Sequence, residues 1–340
     1  MRNAWLTATL VASVIALAPG AGRTQDKPIE LKLSHWVGVG HIHHKNVLEP
    51  WAKMVEERSK GRLKVTIYPG GVLGKPTDHW DMIKTGIADI GWGTHNYTAG
   101  RFPLTSAGDL PFTFKTSKGG SRALWELYVK HLQKEHEDVK VLWLFHTTTF
   151  HVFTTRKPVK TLEDLAGLKI RTAGGQVAAV VKQLGAIPVT MAAPEAYNAL
   201  ERGVVDGTVF PWEVMVSFKL SEVIKHATVV NLGAATFFVT MNLKKYESLP
   251  PDLRKIFDDL GGAWAADFSG AVWDKGDEDG LAAAKKAAIA IYPLPAAERQ
   301  RWIQKTKPLE DEWITSMEGK GLPGRQVLAD LRELVKRFDP

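Results

Sequence analysis

The sequence predicts an α/β protein of two lobes with a ligand cleft between them. Three observations carry that expectation. Strand and helix patterns alternate over residues 29–92, and the alternation restarts at residue 160. Two apolar, extended segments, 147–155 and 227–242, are long enough to run between the two sets. Alternating strands and helices build a mostly parallel sheet covered by helices. Ligands bind outside the carboxyl ends of such strands.

The elements follow in order. IELKLSHW (29–36) alternates apolar and polar residues, as a strand does. Residues 41–60 place Val47, Leu48, Trp51, Met54 and Val55 on one helix face, and Gly61 ends it. RLKVTIYPGG (62–71) is a strand stopped by Pro69-Gly70-Gly71, residues 78–85 a short helix, and 88–92 a third strand. A helix over 118–136 leads to the strand VKVLWLFH (139–146) and the first extended segment. The second set runs through the strand ending at Arg171, a helix over 176–184, the strand 187–191, a helix over 194–203 and the strand VVDGTVF. Beyond Leu249 the pattern is helical, apart from the strand AIAIYPL. The lobes are expected at 26–148 plus 236–276 and at 149–235 plus 277–340.

The chain has 340 residues, a formal charge of +7 and no cysteine. Thiol catalysis, disulfides and cysteine-ligated metals are excluded. The basic residues are scattered, so no nucleic-acid face is expected. Residues 1–25 combine Arg2, an apolar run from Ala4 to Ala18, Pro19 and small residues. That is a signal peptide, with cleavage expected near Ala21 to Gln25. No later stretch reads as a membrane span. An exported protein, in the periplasm, is expected.

No nucleophile–base, zinc-protease or Walker motif is present. HIHH (41–44) puts His41 and His44 three apart, but two imidazoles need a third ligand, and none has motif spacing. No metal and no cofactor are expected. Glu213 beside Trp212 is a weaker cation candidate.

GLKIRTAGG (167–175) is the most informative stretch. Arg171 leaves a strand into a glycine turn that opens a helix. Such a turn presents backbone N–H groups, and a guanidinium adds a planar donor fork matched to a carboxylate. Arg171, Gly174 and Gln176 thus describe an anion seat; the structural alternative is a salt bridge to an acid such as Asp206. Trp36, Trp92, Phe210 and Trp212 end strands where a cleft wall would be.

Taken together, EPWAKMVEERSKGRLKVTIYPGGVLG (49–74), DMIKTGIADIG (81–91), DLPFTF (109–114), KTLEDLAGLKIRT (160–172), LGAIPVTMAAPEAYNALERGVVDG (184–207) and LKKYESLPPDLRKIF (243–257) resemble the substrate-binding proteins of TRAP transporters. The resemblance implies a type II-like periplasmic binding protein whose hinged lobes close on an organic acid. It implies delivery to a small and a large membrane subunit, and the family's carboxylate-pairing arginine falls on Arg171. Ala193 stands where many members carry an aromatic, and where many carry polar groups this sequence has Phe210, His151 and Trp36. Dicarboxylates and sugar acids need such partners when buried. A monocarboxylate with an apolar or aromatic body is therefore expected, held by Arg171, Phe210, Trp212, Trp36, His151, Trp92, Gly174 and Gln176, in a protein acting as a monomer. The competing readings are an enzyme on the same scaffold, the receptor of an ATP-driven importer, and a metal receptor using His41, His43 and His44.

Overall fold

Strand pairing divides the chain into two sheets. A computed structural model describes residues 27–98 and 100–340; the expected signal peptide lies outside them. The strands are β1 (Ile29–Ser34), β2 (Leu63–Tyr68), β3 (Ile90–Thr94), β4 (Val139–His146), β5 (His151–Thr154), β6 (Lys169–Thr172), β7 (Ile187–Thr190), β8 (Gly207–Phe210), β9 (His226–Val229), β10 (Thr236–Asn242) and β11 (Ala290–Pro293). The first sheet runs β2-β1-β3-β10-β4 and the second β11-β9-β5-β8-β6-β7. β1 lies parallel to β2 and β3, and β6 lies parallel to β7 and β8. β10 and β5 run antiparallel to their neighbours.

The two extended segments are each split between the sheets. β4 belongs to the first sheet and β5 to the second, with only residues 147–150 between them. β9 and β10 are divided in the same way by residues 230–235. The linkers bind each other: Thr147 donates its N–H to Ala235 (3.1 Å), and Leu232 donates to Phe150 (2.8 Å). Their backbone groups are thus paired although they lie between sheets.

A third link is the helix Gly262–Lys286. In one half, Asp274 accepts from the backbone N–H of Ser117 at 2.7 Å. Further along, Asp277 accepts from the N–H of Trp212 at 2.6 Å and from the Thr148 hydroxyl at 2.8 Å. Gly280 lets this helix lie directly on the second lobe, because a Cβ there would strike the backbone of Trp212 and Glu213.

Two expectations change. Residues 118–136 are not one helix: Ser117–Leu127 is α-helical, capped by the Thr116 hydroxyl, and Tyr128–Leu132 and Gln133–His136 are turns of other pitch. The assignment of all of 277–340 to the second lobe also fails. Ala296–Thr306 does stay there, buried through Trp302 and anchored by Glu298 accepting from the N–H of Leu162. Pro308 then begins a new helix, and Pro308–Glu318 and Gly324–Phe338 pack on the first lobe. Trp313, Met317, Val327 and Leu331 share a core with Phe114, Leu124 and Leu127. Asp339 seals the return by accepting from the hydroxyl and N–H of Thr116.

Candidate ligand-binding site

β6 lies between β7 and β8, so its last three residues are buried and Arg171 has only 1% of its surface exposed. A buried charge needs partners. Nε and one terminal nitrogen of Arg171 both donate to the Met191 carbonyl, at 3.1 and 2.8 Å. The guanidinium carbon sits 4.1 Å from the centre of the Phe210 ring, a cation–π contact. The Tyr97 hydroxyl from the other lobe lies close by and accepts the N–H of Ala193 at 2.8 Å. Burial pulls the Arg171 pKa down, and Tyr97 and Glu195 act against that pull. Among the described residues no carboxylate forms an ion pair with Arg171. Asp206, the alternative partner, accepts from the backbone N–H of Lys169 instead.

From this end a narrow slot runs between two aromatic walls. On the first lobe, Trp36 follows β1 and stacks on Trp92 of β3, with ring centres 5.3 Å apart. Tyr97 meets Trp36 edge-on. On the second lobe, Phe210 at the end of β8 is parallel to Phe218, at 6.3 Å. Phe218 leads to His41, which also faces Trp92. The slot is a cavity of about 40 Å³ lined by stacked rings, whose flat faces suit a flat body better than a branched one.

The far end is polar. His41 accepts the N–H of His43 through Nδ1 at 3.1 Å, so the neutral ring carries its proton on Nε2. That nitrogen lies 3.9 Å from Oε2 of Glu213, and both side chains are 2% exposed. Burial, and then His35 and His44, push His41 down to about 3. Burial, with Asp277 adding to it, pushes Glu213 up to about 8. Both groups are therefore neutral at pH 7. Glu213 Oε2 and the indole nitrogens of Trp36 and Trp92 have no hydrogen-bond partner.

Of the residues singled out in the sequence, Arg171, Phe210, Trp36 and Trp92 come together around the slot. Four others do not line it. Pro211 turns the chain, so the Trp212 ring packs on His151 and Phe153, at 5.1 and 5.0 Å, behind the wall. His151 is buried in the same layer. Gly174 opens onto an outer cleft with Thr190 and Glu195, and Gln176 onto another beside His95 and Asp109. The glycine turn is blocked as an anion seat because Asn96 from the first lobe fills it; its amide oxygen takes the space of a Cβ on Gly175.

The HIHH stretch disperses its imidazoles. His43 is sandwiched between Trp92 and Phe145, and His44 bridges His35 and Glu49. Only His41 reaches the slot. Among the described residues no group of three or more such side chains is placed to hold a metal ion. Sequence reasoning missed Tyr97 and Phe218, which sit in segments without periodicity. It weighed His41 and Glu213 only as separate cation candidates, and their spacing gave no sign that they meet.

Two lobes closing on a buried guanidinium and an aromatic slot define a solute receptor. The chain belongs to the bacterial extracellular solute-binding proteins of family 7, DctP, whose profile matches residues 33–316. It is a receptor of TRAP transport and not an enzyme. It is similar to a TRAP solute-binding protein of Rhodoferax ferrireducens T118 solved with copurified benzoate: 35% identity, TM-score 0.89, 91% of this chain and 98% of that one. A Bordetella bronchiseptica TRAP protein with bound mandelate is 34% identical, TM-score 0.87, over 92% of this chain and all of that one. The C4-dicarboxylate-binding periplasmic protein of Rhodobacter capsulatus is 29% identical over 89% of this chain and 90% of its own length. Among the described residues no helix is long and apolar enough to cross a membrane.

Proposed function

We propose that this receptor binds an aromatic monocarboxylate in the periplasm, after removal of its signal peptide, and hands it to the small and large TRAP membrane subunits. One observation carries the reading. Arg171 is buried without an acidic partner at the end of a flat aromatic slot. The ligand's carboxylate supplies the missing negative charge, and its ring lies between Trp36–Trp92 and Phe210–Phe218. Tyr97 and Ala193 come from different lobes, so their hydrogen bond forms only on closure. The ligand shifts the hinge through contacts made only in the closed form.

A dicarboxylate, the solute of the Rhodobacter relative, would place a second charge among residues that include no other arginine or lysine. The benzoate and mandelate in similar receptors support the aromatic choice. Thermal-shift measurements test it, with benzoate, phenylacetate, mandelate, succinate and galacturonate. Stabilisation by the aromatic monocarboxylates is expected. Stabilisation by succinate or galacturonate alone would refute it.

A further inference from the structure

The slot has two polar ends, and a simple benzoate uses only one. The far end holds an acceptor and a donor that face each other without touching. His41 Nε2–H and Glu213 Oε2 stand 3.9 Å apart, beyond hydrogen-bond distance, and Oε2 has no other partner. Both side chains are 2% exposed and line the slot. A buried polar atom left unpaired is costly, and a ligand atom placed between the two would satisfy both.

The position of this pair relative to Arg171 follows from the contacts. Arg171 touches Phe210, Phe210 is parallel to Phe218, and Phe218 meets His41 edge-on. Along the opposite wall the order is Tyr97, Trp36, Trp92, His41. The pair therefore sits across the ring from the carboxylate seat.

We infer that the His41–Glu213 pair is a second subsite that receives a hydroxyl on the ligand's ring, so that the favoured solutes are hydroxylated aromatic acids. This rests on the aromatic monocarboxylate reading above. A phenolic hydroxyl matches the pair: its oxygen accepts from His41 Nε2–H, and its O–H donates to Glu213 Oε2. A second carboxylate does not match. It would bring an unpaired charge to a pair of neutral groups, with no cation beside it. The hydroxyl must lie meta or para to the carboxylate. An ortho hydroxyl points back toward Arg171 and binds its own carboxylate.

Calorimetry with benzoate and its three monohydroxy derivatives tests the subsite on the wild type, Glu213→Gln and Glu213→Leu. The wild type is expected to bind the meta or para isomer about tenfold more tightly than benzoate, and the ortho isomer no better. Glu213→Gln keeps a carbonyl acceptor and should keep the gain. Glu213→Leu should lose the preference for the meta or para isomer over benzoate, whatever its affinity for benzoate itself, and its melting temperature reports that it is folded. Equal affinities for benzoate and every isomer in the wild type would overturn the subsite and leave the benzoate reading standing. A folded Glu213→Leu that keeps the tenfold preference for the meta or para isomer would also overturn it. If no aromatic acid bound the wild type, both readings would fall together.

Discussion

Arg171 and Glu213 are equally buried, at 1% and 2% exposure, in one slot, yet the protein treats them in opposite ways. Arg171 is given a carbonyl, a phenol and an aromatic face. Glu213 is given no cation, and burial raises its pKa to about 8. A guanidinium keeps its proton in almost any surroundings, so its charge must be solvated by the protein. A carboxyl group can escape burial by taking up a proton. One end of the slot is thus set for an anion and the other for a neutral polar group.

The largest test removes the charged end. Arg171→Ala should weaken benzoate by about 3–5 kcal/mol, and Arg171→Lys should recover little because the donor fork is gone. Calorimetry reads both, and unchanged affinity in Arg171→Ala would take the residue out of the site. Tyr97→Phe comes next. It leaves the Ala193 N–H unpaired in the closed form, so benzoate affinity should fall by about 1–3 kcal/mol. A loss confined to melting temperature would assign Tyr97 to folding instead. Phe210→Leu keeps an apolar side chain but removes the ring under the guanidinium, and about 1 kcal/mol of affinity should go with it.

The smallest effect concerns pH at the neutral end. Glu213 holds its proton in the folded state up to about 8, whereas an unburied glutamate titrates near 4.5. Between those values the unfolded chain binds fewer protons, so this residue makes stability fall as pH rises. The groups facing it are His41, which is neutral there, and Asp277, whose pKa burial raises to about 6. Glu213→Gln should therefore raise the melting temperature more at pH 8 than at pH 4.5. Equal gains at both pH values would mean that Glu213 is ionised in the fold. Buried histidines work the other way: His35, His41, His146 and His151 are pushed from 6.5 to about 3, chiefly by burial. Their stabilisation is lost as pH falls from 6.5 toward 3, so a comparison of variant with wild type is needed to isolate Glu213.

The charged end was legible in the sequence and the neutral end was not. Arg171 stands at a strand exit before glycines, a local pattern that left only an anion seat or a structural salt bridge to choose between. Trp36, Trp92 and Phe210 were found in the same way, as aromatics at strand ends. His41 and Glu213 lie far apart in the chain and meet only because the Gly262–Lys286 helix seats the Trp212–Glu213 backbone through Asp277 and Gly280. The glycine turn misled for a similar reason. Its geometry suits an anion, but Asn96 reaches it from the other lobe, and no spacing within 167–175 could reveal that. The last two helices were misplaced because an amphipathic face shows that a helix packs, not which lobe receives it.

The most direct measurement compares benzoate with benzamide, its uncharged counterpart, by calorimetry on the unmodified receptor. The two share ring and size, so they differ mainly in what Arg171 can pair with. Benzoate is expected to bind at least about a hundredfold more tightly, some 3 kcal/mol. Equal affinity would contradict a carboxylate held by the buried guanidinium.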